Sequence, residues 1–251
     1  MISDAGRQIT AVDPTVTDKP NELSTGAITP GVVPVLVPTS RYTSNEFAER
    51  ERERLWPRVW QLACSVDHVQ APGDIYEYRA GWLSVLIVRG EDGVLRGFQN
   101  ACRHRGNSLY QGAGTGLKVL RCPFHHWTWD LSGRLSAVPD RRGFGPGFTS
   151  EAFCLLPVQV DTWGPMVFVN FDLEGPTLAQ FLEGIPEDSA WAELDGFQCV
   201  AVTHTPVDSN WKVVTEGFSE TYHVQGIHSE MLGSIDDVHA PHISAARRGY
   251  R

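Results

Sequence analysis

Two short arms constrain this chain more than anything else in it: Cys102-Arg103-His104 and, seventeen residues on, Cys122-Pro123-Phe124-His125. Each arm supplies one thiol and one imidazole. A zinc finger ordinarily draws Cys with Cys from one arm and His with His from the other. The mixed pattern instead asks for two loops laid side by side, with both thiolates meeting at one point and both imidazoles at another. A [2Fe–2S] centre in which two Cys hold one iron and two His hold the second makes that demand. A zinc site and an accidental grouping of unrelated core residues are the alternatives.

The flanks sharpen the reading. Cys102-Arg-His-Arg-Gly106 and Cys122-Pro-Phe-His-His-Trp-Thr-Trp-Asp-Leu-Ser-Gly-Arg-Leu135 closely resemble the two cluster-binding loops of Rieske proteins, and the second resembles those of the Rieske oxygenases in particular. That family usually has Gly after the ligand His, where this chain has His126. The C-x-x-H spacing assigns the ligand role to His125, so His126 is expected to face solvent or a redox partner.

Length and composition set outer bounds. The 251 residues suit one large domain or two ordinary ones, and 41% hydrophobic with 20% charged residues is ordinary for a globular protein. A formal charge of −9 argues against a general nucleic-acid binder. No run of eighteen apolar residues predicts a membrane span, and no secretory signal pattern opens the chain, so a cytoplasmic location is expected. Cys64, Cys154 and Cys199, in apolar surroundings, are expected to be buried reduced thiols.

In chain order, residues 1–40 are polar and proline-containing and read as a flexible tail. Thr43 and Glu46 form a capping-box pattern ahead of a helix that Pro57 ends, and the charged run Glu49–Arg54 reads as its solvated face. Short strands are predicted at Asp74–Arg79, Leu83–Arg89, Val94–Asn100, Leu117–Arg121, Trp127–Leu131, Val158–Asp161 and Met166–Phe171, which together suggest an antiparallel β domain. Gly175-Pro176 opens a helix with Leu178, Phe181 and Leu182, Cys199–Val207 alternates like a strand, and Trp211–His223 reads as a helix capped by Asn210.

That last helix begins a second constellation: Glu220 and His223 on one face, with His228 five residues further on. An unbroken helix would swing His228 about 140° away, so a kink or helix end near Gly226 is needed to bring it back. Alone, H-x-x-x-x-H is a weak metal signal. Beside the first constellation, the segment Asn210–His228 resembles the mononuclear-iron motif of the aromatic-ring-hydroxylating dioxygenase α-subunits, and the resemblance runs from about Arg41 to the end. It implies His223 and His228 as ligands of a mononuclear Fe(II), and Glu220 as the carboxylate that hydrogen-bonds a cluster histidine of a neighbouring subunit. Glu216-Gly217 departs from a common Glu-Asn. Two His and one carboxylate would leave open positions on Fe(II) for O2. The family's third ligand arrives far downstream, and none of Glu230, Asp236, Asp237, His239 or His242 matches it.

The expected fold is α+β: residues 41–175 an antiparallel β Rieske domain with a leading helix, and 176–251 the start of a helix-grip catalytic domain, insufficient to enclose iron and substrate. The expected function is that of a Rieske non-haem iron mono- or dioxygenase. It would take electrons from NAD(P)H through a flavin reductase or ferredoxin and hydroxylate an aromatic or other apolar organic substrate with O2. The full-length family form implies a homotrimer or α3β3 assembly. A Rieske electron carrier without its own catalytic iron is the alternative. Between Arg103 and Arg142 lie seven basic residues (Arg103, Arg105, Lys118, Arg121, Arg134, Arg141, Arg142) against two acidic ones, which predicts an acidic redox partner.

Overall fold

A computed structural model describes residues 37–219 and 223–233. Its centre is strand β3 (Leu83–Arg89), an apolar run buried almost end to end. A run of that kind needs cover on both faces, because successive side chains point opposite ways. Val85 and Ile87 enter one core with Val69, Val158, Val167 and Val169. Leu86 and Val88 enter the other, with Ile75, Phe98, Trp127, Trp129 and the two arm cysteines.

The other strands are β1 (Gln61–Ser65), β2 (Ile75–Ala80), β4 (Leu95–Gln99), β5 (Ala113–Gly114), β6 (Leu120–Arg121), β7 (Thr128–Trp129), β8 (Leu135–Ala137), β9 (Pro157–Trp163) and β10 (Met166–Asn170). Seven form one antiparallel sheet in the order β1-β10-β9-β4-β3-β2-β5, and β6-β7-β8 form a second. The β2–β3 turn is tight because Gly81 takes φ 60°, a backbone open to glycine at little cost. The core that contains the arm cysteines draws on both sheets, with Leu86 of the larger and Trp129 of the smaller each fully buried. The architecture is α+β and antiparallel, as the sequence implies.

Helices flank the sheets: α1 (Ser40–Thr43), α2 (Asn45–Arg54), α3 (Leu178–Leu182), α4 (Ile185–Asp188), α5 (Trp211–Phe218) and α6 (Val224–Ile227). Helix α3 starts on a full capping box, Thr177 with Gln180, and buries Leu178 and Leu182 against Trp60 and Phe168. The Trp60 indole N–H donates to the Pro176 carbonyl at 2.8 Å, fixing the chain as it leaves the sheet. Among the described residues, no helix is long and apolar enough to cross a membrane.

Several expectations need correction. The helix cap is Ser44, whose hydroxyl accepts from the Phe47 N–H; Thr43 ends the preceding turn of helix. Cys199–Val207 forms no strand: the Cys199 N–H donates to the Asp67 carboxylate at 2.6 Å, and none of the segment joins either described sheet. The helix after Asn210 stops at Phe218, not His223. Gly217, a poor helix former, sits in its last turn. Within the charged run of α2, Glu51 is buried rather than solvated. The three spare cysteines are free thiols but only partly buried. Cys64 and Cys199 line a mostly apolar cavity of about 520 Å³ with His68 and Tyr76.

Candidate metal sites

The two arms are wired alike. In the first, the Cys102 N–H donates to the Asn107 carbonyl at 2.8 Å and the Gly106 N–H to the Cys102 carbonyl at 2.7 Å. In the second, the Cys122 N–H donates to the Trp127 carbonyl at 2.8 Å and the His126 N–H to the Cys122 carbonyl at 3.0 Å. Each loop closes over five residues, and each needs a left-handed backbone at its fourth step. Gly106 supplies it at φ 73° and His126 at φ 58°. The departure at His126 is therefore a side chain standing where the loop geometry favours glycine.

The first arm is held to the sheet by Asn100, which is buried. Its carbonyl oxygen accepts from the N–H groups of Leu109 and Tyr110 at 2.8 and 3.2 Å. Its amide donates to Glu77, to Ser84 and to the Tyr110 carbonyl. The second arm is held through the smaller sheet, where the Trp129 indole donates to the Phe153 carbonyl at 2.8 Å.

This wiring sorts the four side chains by depth. Cys102 and Cys122 are 5% and 1% exposed, whereas His104 is half-buried and His125 exposed. The imidazoles meet Nδ1 to Nδ1 at 3.1 Å, and Cys122 stands beside Cys102 and raises its pKa. Burial pushes the Cys102 thiol up, while N–H donors from His104 and Arg105 oppose that by favouring its thiolate. Burial, with His125 and Arg105 adding to it, favours the neutral form of His104. The His104 ring stacks on Trp127, 4.9 Å between centroids and 6° from parallel, and Phe124 tilts against His125 at 4.2 Å. Among the described residues, no three of His, Cys, Asp or Glu converge on a single ion. The donors come as a sulfur pair beneath a nitrogen pair, which fits a two-iron group with one pair on each metal and does not fit a single tetrahedral zinc.

The second constellation lies only partly within the described residues. Glu220 falls outside them, as do Asp236, Asp237, His239 and His242. His223 immediately precedes helix α6 and His228 immediately follows it, so one short turn of helix separates them. Their rings stand 5.6 Å apart at 75°. The helix end that the spacing requires near Gly226 is met by α6 stopping at Ile227. His228 Nδ1 lies 3.4 Å from Glu230.

Comparison with known proteins bears on both sites. Residues 59–158 match the family model of the Rieske [2Fe-2S] domain, and residues 190–249 match that of the ring hydroxylating alpha subunit (catalytic domain). The chain belongs to the Rieske oxygenase α-subunit family. The Rieske domain implies a [2Fe–2S] cluster, and the catalytic-domain match implies a mononuclear iron.

Among Rieske oxygenase relatives, the carnitine monooxygenase oxygenase subunit of Acinetobacter baumannii is 30% identical over 198 residues, covering 77% of this chain and 53% of that one. The quaternary ammonium Rieske monooxygenase CntA, solved with L-carnitine, superposes with a TM-score of 0.74 at 28% identity over 79% of this chain and 56% of that one. Naphthalene 1,2-dioxygenase from Rhodococcus sp. superposes with a TM-score of 0.71 at 25% identity over 78% and 46%. The chain thus spans about half the length of the relatives it matches.

Sequence reasoning missed Asn100 and the buried pair formed by Glu51 and Lys212. An Asn directly between a strand and the first ligand arm is a signal for the former, since such a residue can tie loop backbone to sheet. Nothing local signals the latter.

Proposed function

We propose that this chain serves as the α-subunit of a Rieske non-haem iron oxygenase, with residues 41–175 as its Rieske domain and 176–251 belonging to its catalytic domain. Cys102 and Cys122 are assigned to one iron of the cluster and His104 and His125 to the other, with His223 and His228 on the mononuclear Fe(II) and Glu220 as the carboxylate between centres. When bound, these groups supply one-electron storage and O2 activation. The protein's own part is to keep the thiols dry, present the imidazoles at the surface, and aim the N–H groups of His104 and Arg105 at the Cys102 sulfur. Such donors tune a cluster's potential. The observation that carries the reading is the nitrogen pair above the sulfur pair on two identically wired loops.

The substrate class favoured by the relatives is a quaternary ammonium compound, with an aromatic hydrocarbon second. Electrons are proposed to come from NAD(P)H through a flavin reductase or ferredoxin, and the working assembly to be a homotrimer or α3β3. The surface beside the arms supports an acidic carrier. Arg105, Arg121, Arg134, Arg141 and Arg142 are all exposed, and none is in an ion pair among the described residues.

The test is to reconstitute the chain anaerobically with iron and sulfide, then record the reduced EPR spectrum and count iron. A Rieske-type signal lost in His104→Ala or His125→Ala, with about three irons per chain, supports the reading; about two irons supports a pure electron carrier. A colourless protein holding stoichiometric zinc refutes both. Coupled O2 uptake with a reductase is expected only where a carboxylate joins His223 and His228 on the iron; turnover of carnitine or naphthalene by this chain alone would make Glu230, Asp236 or Asp237 the candidate third ligand.

A further inference from the structure

Helix α5 leads into the histidine pair, yet none of its residues is buried. Phe218 at its end is 90% exposed. A helix with so little core contact must be placed by something other than packing. Its described side-chain bonds to the rest of the chain run to the N-terminal helices. Lys212 Nζ lies 2.8 Å from Glu51 on α2, and the two side chains are only 14% and 10% exposed. The same ammonium stands 5.2–5.6 Å from the ring centroids of Trp211, Tyr42 and Phe47. One turn along α5, Glu216 accepts from the Tyr42 hydroxyl at 2.7 Å, which raises the pKa of that phenol. At the helix start, the Asn210 amide donates to the Tyr42 carbonyl at 2.9 Å, and Trp211 meets Trp56 edge-on at 4.9 Å.

We infer that Lys212 is a positioning residue for the histidine pair: through Glu51 and the aromatic rings it holds helix α5, and so the segment carrying His223 and His228, on the N-terminal helices. The inference rests on the reading that those histidines hold a metal. Removing the ammonium leaves the Glu51 carboxylate buried without its cation, which a protein tolerates poorly. The helix then shifts until water reaches that carboxylate, and the histidines that follow move with it. Lys212 and Glu216 are one helical turn apart, so both grips lie on one face, and losing either lets α5 pivot on the other.

The test uses the cluster-loaded full chain titrated with Co(II), a stand-in for Fe(II) that does not exchange electrons with the cluster. Binding that disappears in the His223→Ala, His228→Ala double variant defines the site. Lys212→Met keeps the apolar stem against the rings and removes the charge. It is expected to weaken that binding roughly tenfold, the range for residues that support metal ligands from outside. The reduced-cluster EPR signal should stay unchanged, and Lys212→Arg should recover most of the affinity. Tyr42→Phe removes only an exposed hydroxyl and should weaken binding about two- to fivefold at unchanged melting temperature. If Lys212→Met fails to fold, Tyr42→Phe decides alone. Wild-type Co(II) affinity in the folded variants overturns the inference and leaves the metal reading standing. Absence of any His223- and His228-dependent binding in the unsubstituted chain overturns both.

Discussion

Asn100→Ala should damage the first arm more than its position in a strand exit suggests. The side chain satisfies two backbone N–H groups, of Leu109 and Tyr110, where the loop returns from His104. Leu109 is only 5% exposed, so its N–H has little access to water. An orphaned buried donor costs about 1–3 kcal/mol. That donor, the half-buried one of Tyr110, and the lost amide bonds to Glu77, Ser84 and the Tyr110 carbonyl, partly offset by the Ser84 hydroxyl that still donates to Glu77, give roughly 3–5 kcal/mol. For a chain of this size that is a fall of roughly 6–20 °C in melting temperature. Calorimetry of the reconstituted protein reads the shift, and iron and sulfide analysis should show lower cluster occupancy, since the far end of the arm is no longer anchored. A drop under about 2 °C with full occupancy would refute the view that Asn100 holds the arm to the sheet.

His126→Gly should stabilise the protein by about 1 kcal/mol, because a left-handed backbone costs an L-residue roughly 1–2 kcal/mol and glycine's extra chain entropy returns part of the gain; a lower urea midpoint would contradict this. Burial, with Cys199 nearby, pushes the Cys64 thiol up to about 12. Its alkylation should therefore be slow at pH 8 and keep accelerating above pH 10. The folded value lies above the ordinary 9.0, so this group's contribution to stability is complete below about pH 9 and falls as pH rises towards 12. A Cys64→Ser variant with the same alkaline unfolding profile would show the thiol is not responsible. Charge reversal at Arg141 and Arg142 should slow cluster reduction by an acidic carrier and weaken its salt dependence, with dithionite reduction unchanged; stopped-flow rates indifferent to both salt and substitution would remove the docking surface.

Features fixed by local pattern were legible in the sequence. The apolar run Leu83–Arg89 is strand β3 at the predicted bounds, and the Asn210 cap opens α5 where expected. The two arms could be read from residue type and spacing, because their chemistry allows few alternatives. Features that depend on distant partners could not be read. Cys199–Val207 has a strand's alternation, but alternation does not say whether a neighbour exists. Glu51 looks like one charge among many until Lys212, 161 residues on, is set against it. The oddity at His126 was visible, but its cause is a φ angle shared with Gly106, and that equivalence is a property of the folded loops.

The place of β1 has a consequence for the order in which the protein is made. Among the described strands β1 pairs only with β10, Gln61 against Val169, so the first of them waits for the last. Everything that builds the two arms emerges from the ribosome in between. At about 5–20 residues per second, the interval between the appearance of Trp127 and that of Asn170 is roughly 2–9 s. During that time the nascent chain has Cys102, His104, Cys122 and His125 outside the exit tunnel or close behind it, while the sheet still lacks β9 and β10. Iron and sulfide delivered in this window would meet loops not yet shut in by the final strand pair. Delivered later, they would have to enter a finished fold through the histidine side.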